Sequence, residues 1–380
     1  MKIKQLSPNI KIEELLKKID VDRGGISILS AKHYQYLILI EALHVGGANI
    51  LKQDAISVGA DLGVPKGTVV AKDPYVDAVL IGSKRSLQKL ALKLRLQPFG
   101  LKEVGKYIEK TLDIKEKKLQ IMGIINANDD SFYSKSRFKG KEALITIEKM
   151  IEDGANIIDI GGVSSRPGAQ KVDPQEELER IKPIADVIFE EKLYEKVRFS
   201  IDSYSPEVIS YVLERGFSIV NDITGFENDE LCRLCAQYNA GAVIMHMQGT
   251  PQNMQKNPHY EDVICEVFDY LQQQAEKAES FGVKEVILDV GIGFGKTLQH
   301  NILLLQHLQH FQTLGYPLLI GASRKSMIDM IFKSDVSQRL AGTLSIHLKA
   351  IQEGADILRV HDVFEHKQAI EVWKALEQQG

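Results

Sequence analysis

Apolar runs and amphipathic segments alternate along the chain from about residue 119 to its end. Each run is rich in β-branched residues or leucine, which is typical of a strand buried on both faces. The eight runs are Leu119–Asn126, Asn156–Gly162, Val197–Ser203, Ser218–Thr224, Gly241–Met247, Glu285–Gly291, Pro317–Ser323 and Ile357–Asp362.

The segments between these runs repeat their apolar positions at helical spacing. Clear examples are Glu142–Asp153, Pro174–Glu190, Tyr260–Ser280 and Ser337–Gln352. Eight strands that each precede a helical segment, within about 262 residues, predict an α/β protein with a (β/α)8 TIM barrel. A count of seven or nine strands, or an open doubly wound sheet, stays possible on this pattern alone.

The first 115 residues follow a different pattern. Ile26 and Ile28, the run Tyr36–Ile40 and the run Val76–Ile81 predict strands. Helical spacing is found in Gln53–Leu62, Leu87–Leu96 and Leu101–Leu112. We therefore expect a small α/β domain of unknown role over residues 1–115, followed by the barrel over residues 116–380.

Charge also divides the chain at this place. The whole chain carries −4, but residues 1–115 hold 19 lysines and arginines against 12 aspartates and glutamates. That segment is therefore +7 and the remainder −11. Its lysines are scattered and lack an aromatic-rich binding motif, which disfavours nucleic acid as a partner.

Composition disfavours several other classes of protein. With 44% apolar and 26% charged residues the chain is of ordinary globular composition, and three cysteines are too few for a disulfide framework. No apolar run approaches the ~20 residues of a membrane span, and the N-terminus lacks the apolar segment of a signal peptide. We expect a cytoplasmic protein with no membrane partner.

Polar residues stand at the C-terminal end of every predicted barrel strand, which is where such barrels place their chemistry. Asparagine and aspartate often begin loops, but that habit does not account for the basic and imidazole groups. The strand-end residues are Asn126, Asp159, Asp202, Asn221, His246, Asp289, Ser323 to Lys325, Arg359 and His361.

The segment DVGIGFGKT at 289–297 contains three glycines after Asp289. A P-loop requires glycine where Val290 stands, and glycines at 291, 293 and 295 do not fit the Rossmann GxGxxG pattern. The segment therefore predicts a glycine-rich turn from strand to helix, in which a planar ligand could approach the backbone beside a carboxylate.

Three segments predict an anion site. GGVSSRPG at 161–168 offers Ser165 as a donor and Arg166 as a bidentate ligand for phosphate. GASRKSM at 321–327 follows the seventh strand, where barrels often bind phosphate. Arg359 and His361 are two residues apart, so both face the same side of the eighth strand.

The oxygen-rich stretch from Asn126 to Ser131 has two interpretations. Its amide and carboxylate oxygens suit Mg2+ that is shared with a substrate phosphate, but they would also suit an Asx-rich turn. Cys232 and Cys235 form a CxxC inside a helical pattern with no second pair or histidine cluster, so zinc or redox chemistry is disfavoured there.

Taken together, these motifs resemble the dihydropteroate synthase family. GIINANDDSF, DIGGVSSRPGA, SID, NDITG, MHMQGTPQNMQ, LDVGIGFGKT, GASRKSMI and GTL with RVHDV occur in the family's order over about residues 119–365. The resemblance implies a barrel that condenses 6-hydroxymethyl-7,8-dihydropterin pyrophosphate with 4-aminobenzoate and releases pyrophosphate. It also implies Mg2+, a homodimer and inhibition by sulfonamides.

The resemblance further implies a role for particular residues. The implied pterin-binding set is Asp202, Asn221, Asp289 and Lys325. The implied pyrophosphate contacts are Ser165, Arg166, Arg359 and His361. The implied aminobenzoate contacts are Ser165, Phe294, Lys325 and Ser326. Asn126 resembles the metal-contacting asparagine, and Asp130 lies in the family's first loop.

Several positions depart from the family pattern. Asn128 and Asp129 replace a Thr-Pro pair in the first loop, and residues 133–137 replace its glycines. Val163 replaces a glutamate, Ser165 a threonine and Val290 a proline. Residues 1–115 resemble the extended N-terminal segment of epsilonproteobacterial versions, and we expect the synthase chemistry to lie outside them.

Two other functions remain open at this point. A methyltetrahydrofolate-binding methyltransferase domain would share the pterin residues but would not need the SSRPG, SRK and RVH cations. A non-catalytic pterin-binding paralogue is favoured only by the altered first loop.

The anion-site assignment leads to a kinetic prediction. Arg359→Ala should raise the KM for the pterin pyrophosphate much more than the KM for 4-aminobenzoate, because only the first substrate carries the pyrophosphate group. Steady-state kinetics with each substrate varied in turn measures this. An equal rise in both KM values would contradict the assignment.

Overall fold

The first part of the chain forms a three-stranded antiparallel sheet with helices on one face. The computed structural model describes residues 1–380 except 2, 5, 7–9, 11, 116, 128–140, 165, 167, 170–171 and 379–380. By its internal contacts the chain divides into two units, Met1–Lys115 with Val372–Gly380 and Glu116–Glu371. The division after Lys115 falls where the sequence pattern and the charge both change.

The N-terminal unit has the strand order β1-β3-β2. Its elements are α1 (Ile12–Lys18), α2 (Arg23–His33), β1 (Gln35–His44), α3 (Val45–Val58), β2 (Asp61–Gly63), β3 (Tyr75–Ser83), α4 (Lys84–Leu94) and α5 (Leu101–Leu112). The predicted strands over 36–40 and 76–81 and the helix over 101–112 are confirmed. The core is formed by apolar side chains of β1 and β3, such as Ile38 and Leu80, packed against helices α3 to α5.

Two sequence expectations in this unit are wrong. Ile26 and Ile28 lie in helix α2, not in a strand, because Asp22 caps that helix by accepting a hydrogen bond from the Gly25 backbone N–H at 3.0 Å. The helix expected over 53–62 begins earlier, at Val45. It ends at Val58, where Gly59 adopts the left-handed conformation that terminates helices.

The second unit is a closed barrel of eight parallel strands in the order β10-β11-β4-β5-β6-β7-β8-β9. Pairing of β11 with β4 closes the sheet, so the (β/α)8 prediction is confirmed and an open sheet is excluded. The strands are β4 (Gln120–Asn126), β5 (Ile157–Gly161), β6 (Arg198–Asp202), β7 (Ile219–Asp222), β8 (Gly241–Met245), β9 (Val286–Asp289), β10 (Leu318–Ile320) and β11 (Ile357–Val360).

Helices follow the barrel strands and bury their apolar faces against the outward side chains of the sheet, as Ile181 of α7 and Ile158 of β5 do. They are α6 (Lys141–Glu152), α7 (Pro174–Glu190), α8 (Pro206–Leu213), α9 (Asp229–Tyr238), α10 (Val263–Ser280), α11 (Leu298–Gln306), α12 (Leu308–Gln312), α13 (Ser326–Ile331), α14 (Leu340–Gln352) and α15 (Val363–Gln378). Within the described residues, no helix combines the length and the apolar character that crossing a membrane requires.

The barrel interior changes from apolar to charged along the strands. One interior cluster is formed by Met122, Ile157, Ile219, Val243, Ile287, Leu319 and Ile357. Because side chains alternate along a strand, the residue two positions further on faces the interior again. On four strands that residue is charged or an amide: Asp159, Asn221, Asp289 and Arg359.

Two buried histidines connect the loops that follow β10 and β11. The Ala322 backbone N–H donates to His347 Nε2 at 3.1 Å, so the ring proton of His347 is on Nδ1. That proton is donated to His366 Nε2 at 2.9 Å, and His366 Nδ1 then donates to the Asp362 carbonyl oxygen at 2.6 Å. The chain of hydrogen bonds is complete only when both rings are neutral.

This pair predicts a loss of stability in acid. Burial lowers the pKa of both His347 and His366 below the ordinary 6.5, so the unfolded chain binds more protons below that pH. His347→Gln keeps one acceptor and one donor but does not titrate. The free energy of unfolding, from urea titrations between pH 7.5 and 5, should therefore fall less steeply with acid in the variant than in the wild type. Equal slopes would contradict the neutral pair.

Candidate active site at the C-terminal end of the barrel

Arg359 forms two ion pairs in the charged layer of the barrel interior. Its Nε lies 2.6 Å from Asp159 Oδ2, and its Nη2 lies 2.7 Å from Asp202 Oδ2. Asp159 is fully buried, and its Oδ2 also accepts a hydrogen bond from Asn221 Nδ2 at 3.0 Å. These contacts bring together Asp202, Asn221 and Arg359, which the sequence assigned to the site from three different strands.

Opposing effects act on the carboxylates of this layer. Burial raises the pKa of Asp202, while the positive charge of Arg359 lowers it. Burial likewise raises the pKa of Asp289. The charge of Lys325 lowers it, as does the hydrogen bond that the Gly291 backbone N–H donates to Asp289 Oδ1 at 2.8 Å. Because arginine stays charged, Arg359 opposes part of the effect of burial on the pKa of Asp202.

The turn after Asp289 has the form that the sequence predicted. It joins β9 to α11, and the φ angles of Gly291, Gly293 and Gly295 are +70°, +83° and +62°. A Cβ on Gly291 would lie 1.8 Å from the His246 carbonyl oxygen, and one on Gly295 would lie 2.4 Å from that of Gln248. Only glycine therefore lets this turn pack directly on the loop after β8.

Phe294 and Lys325 lie against each other beside this turn. The Lys325 Nζ is 4.4 Å from the centre of the Phe294 ring and donates to the Ile292 carbonyl oxygen. Loss of water around Lys325 lowers its pKa to about 8, although Asp289 opposes this. Ser326 is exposed at the first position of α13. Lys325 thus lies close to both Phe294 and Asp289.

His361 is a hydrogen-bonding group and not a third positive charge. Loss of water and the charge of Arg359, followed by smaller effects of Arg324 and Arg166, lower its pKa, so the ring is neutral at pH 7. Ser323 Oγ accepts from the His361 backbone N–H at 3.3 Å and lies 2.9 Å from Nδ1. If that hydroxyl donates to Nδ1, the ring proton is on Nε2.

Two residues assigned to the site cannot be placed. Ser165 and Asp130 lie outside the described residues. Arg166 is half-buried, and its backbone N–H lies 3.5 Å from Ser164 Oγ. Asn126 ends β4 beside Gly161 of β5. Among the described residues no three histidine, cysteine or acidic side chains form a metal cluster.

Sequence reasoning gave no role to Asp159 and none to Lys296. Asp159 was recognised only as a strand-end residue, although its spacing of two from the apolar Ile157 already places it in the interior. Lys296 follows the glycine-rich turn, is 3% exposed, and donates to groups of the loop after β8. The sequence contains no signal for that contact.

Comparison with known proteins agrees with this geometry. The family model described as "Pterin binding enzyme" matches residues 122–361. The chain is 41% identical to the bifunctional dihydropteroate synthase/dihydropteroate reductase of Helicobacter pylori over 379 residues, which is 100% of both chains.

Solved structures show the same relationship for the barrel. A sulfonamide complex of the Yersinia pestis dihydropteroate synthase has a TM-score of 0.65 at 35% identity, covering 68% of this chain and 94% of that one. The Thermus thermophilus enzyme with 4-aminobenzoate has a TM-score of 0.62 at 36% identity, covering 68% and 95%. The chain belongs to the pterin-binding enzymes and, among them, to the dihydropteroate synthase family.

The buried position of Asp159 leads to a prediction about stability. Asp159→Ala leaves the Arg359 guanidinium with one carboxylate, and breaking a buried ion pair in this way costs about 3–5 kcal/mol. We expect a loss of that size in the free energy of unfolding, measured by urea denaturation. Glu103→Ala, which breaks an exposed pair with Lys106, is the matched control and should cost less than about 1 kcal/mol. Similar losses in both variants would contradict the buried network.

Proposed function

We propose that the chain is the dihydropteroate synthase of folate biosynthesis, a transferase that joins 6-hydroxymethyl-7,8-dihydropterin pyrophosphate to 4-aminobenzoate. The products are 7,8-dihydropteroate and pyrophosphate. The observation that carries the proposal is the charged interior layer around Arg359, in which Asp202 and Asn221 meet at the C-terminal end of the barrel close to Asp289 and Lys325. The matching relatives support it.

The pterin ring would lie in this layer. Its amino-pyrimidinone edge offers N–H donors to carboxylate oxygens, and Asp202 and Asp289 supply acceptors in a site with little water. The Asn221 amide is oriented by its bond to Asp159, which leaves its Oδ1 and one proton for the ligand. The same carboxylates stabilise positive charge that develops on the pterin methylene group as pyrophosphate leaves.

The reaction breaks the bond between the methylene carbon and the pyrophosphate oxygen and forms a bond from that carbon to the aniline nitrogen. The nitrogen then loses one proton, so the protein needs no nucleophile of its own. The proposed donors to the departing pyrophosphate are Arg166, Arg359 and the His361 ring, together with Ser165. Phe294, Lys325 and Ser326 border the place of the aminobenzoate ring, where sulfonamides would also bind.

Mg2+ is part of this proposal. The Asn126 amide oxygen is a ligand type that suits this ion, and Mg2+ usually takes few protein ligands and shares substrate phosphates. When bound, the ion would supply positive charge to the pyrophosphate. Asp130 remains a proposed member of the first loop.

We propose a homodimer and a cytoplasmic location as well. Apolar side chains are exposed on the later helices of the barrel, with Met330, Ile331 and Phe332 at 60%, 60% and 77% and Phe364 at 54%. Neighbouring exposed apolar side chains, as at residues 330–332, are typical of a protein interface.

The test of the function is release of pyrophosphate from the purified chain with both substrates and Mg2+. We expect release that requires 4-aminobenzoate and yields dihydropteroate. A methyltransferase domain would release none, and a non-catalytic paralogue would bind the pterin without turnover. Either result would reject the proposal.

A second activity is proposed for the same chain, the reduction of dihydropteroate. It is favoured by identity to the bifunctional Helicobacter pylori protein that spans the whole chain, including residues 1–115. Reduction adds a hydride and a proton, so an external reductant of the nicotinamide or flavin class is required. Formation of tetrahydropteroate from dihydropteroate with either reductant tests this, and its absence with both would reject the second activity.

The proposed roles of two carboxylates predict the effect of neutralising them. Asp289→Asn or Asp202→Asn should lower kcat by roughly 100- to 1000-fold, since removing one group that stabilises developing charge costs about 3–4 kcal/mol. Pyrophosphate release by the folded variants measures this, with Asp335→Asn on the exposed turn before α14 as a control. Activity like that of the wild type in either site variant would remove that residue from the mechanism.

A further inference from the structure

Lys296 joins the glycine-rich turn to the loop after β8. Its Nζ lies 2.9 Å from His246 Nδ1, 3.0 Å from the Phe294 carbonyl oxygen and 3.3 Å from the His246 carbonyl oxygen. An ammonium group carries three protons and no lone pair. The three acceptors therefore use the whole hydrogen-bonding capacity of the charged side chain.

Holding two loops together with a buried ammonium group carries a large desolvation penalty. An apolar side chain of similar size is often as stable as a buried charge, or more so. Burial lowers the pKa of Lys296 to about 7, while Asp289 acts in the opposite direction. Stability of the fold alone therefore does not account for a lysine at this position.

The contact with the Phe294 carbonyl oxygen connects Lys296 to the substrate site. The backbone of Phe294 is fixed by this bond, and its ring lies against Lys325. The adjoining Gly295 carbonyl oxygen is held from the same loop, by the Tyr260 hydroxyl at 2.8 Å. The loop after β8 thus holds the backbone from which the Phe294 ring projects.

We propose that Lys296 is a positioning residue for 4-aminobenzoate, which fixes the Phe294 ring by holding its carbonyl oxygen and that of His246 with one ammonium group. The inference rests on the proposed synthase function. It concerns 4-aminobenzoate more than the pterin: Asp289 adjoins this turn, but the proposed pterin contacts of Asp202 and Asn221 do not pass through it.

The protonation state of Lys296 makes the proposed effect dependent on pH. Deprotonation leaves two protons for three acceptors, so the turn loosens as pH rises through neutral. The titratable and charged groups that act on Lys296 are Asp289 and Lys325, together with His246 and His300, whose pKa values burial lowers below the ordinary 6.5. Lys325 titrates near pH 8, but it is present in every variant compared.

The experiment compares Lys296→Met with the wild type and with a control, Lys284→Met. The control removes an exposed lysine that precedes the N-terminal end of β9. KM for each substrate is measured from pH 6 to 9, with the other substrate saturating. We expect the KM for 4-aminobenzoate to be about ten-fold higher in Lys296→Met at pH 6.5, the size of one charged hydrogen bond. The KM for the pterin pyrophosphate should stay within about two-fold.

The pH profile provides the second part of the test. In the wild type and Lys284→Met, the KM for 4-aminobenzoate should rise between pH 6.5 and 7.5, and in Lys296→Met it should be flat over that interval. Equal changes in both KM values, or an unchanged KM for 4-aminobenzoate, would overturn the proposal. A wild type that releases no pyrophosphate would reject the synthase function and the inference with it.

If Lys296→Met does not fold, Lys296→Gln replaces it. The glutamine amide donates two protons and does not titrate, so we expect a smaller rise in the KM for 4-aminobenzoate, about three-fold at pH 6.5, again without the step near neutral pH. A glutamine variant with the pH profile of the wild type would overturn the proposal.

Discussion

The guanidinium group of Arg359 inside the barrel is the interaction on which the candidate site depends. A charge in this position is tolerated only because two carboxylates, Asp159 and Asp202, lie within 2.7 Å of it. Asp159 in turn orients Asn221, so one fully buried carboxylate sets the positions of an arginine and an amide. The apolar layer beneath, with Ile157 and Ile357, excludes water from this network on one side.

The turn after β9 carries Phe294 and begins at Asp289, beside this network. Its glycines allow the backbone to approach the loop after β8 more closely than any side chain would permit. Lys296 and Tyr260 then hold carbonyl oxygens of the turn, and Phe294 is left facing Lys325. Charge at the barrel centre and an aromatic ring held beside it would both serve the proposed reaction between a pterin and an aniline.

The barrel could be predicted from the sequence because strands covered on both faces leave continuous apolar runs, and the strand ends followed from those runs. The strand predicted at Ile26 and Ile28 was wrong because two apolar residues separated by one are too few to distinguish a strand from a helix. The Asp22 side chain caps helix α2 there. The resemblance placed Asp202 and Arg359 in one site, but their ion pair was not foreseen. Arg359 and Asp159 are 200 residues apart in the sequence, and Lys296 and His246 are 50 residues apart, so no local pattern reveals either contact.

We propose that the charged layer is a preformed pterin site. The most direct measurement is a calorimetric titration of the full chain with 6-hydroxymethylpterin over a range of pH, repeated with Asp289→Asn. We expect one saturable site per chain, with an affinity that falls in acid at a pH above the ordinary carboxylate pKa of 3.8, because burial raises the pKa of Asp289 and Asp202. The affinity of the variant should be at least ten-fold weaker. No saturable binding, or equal affinity in the variant, would contradict it.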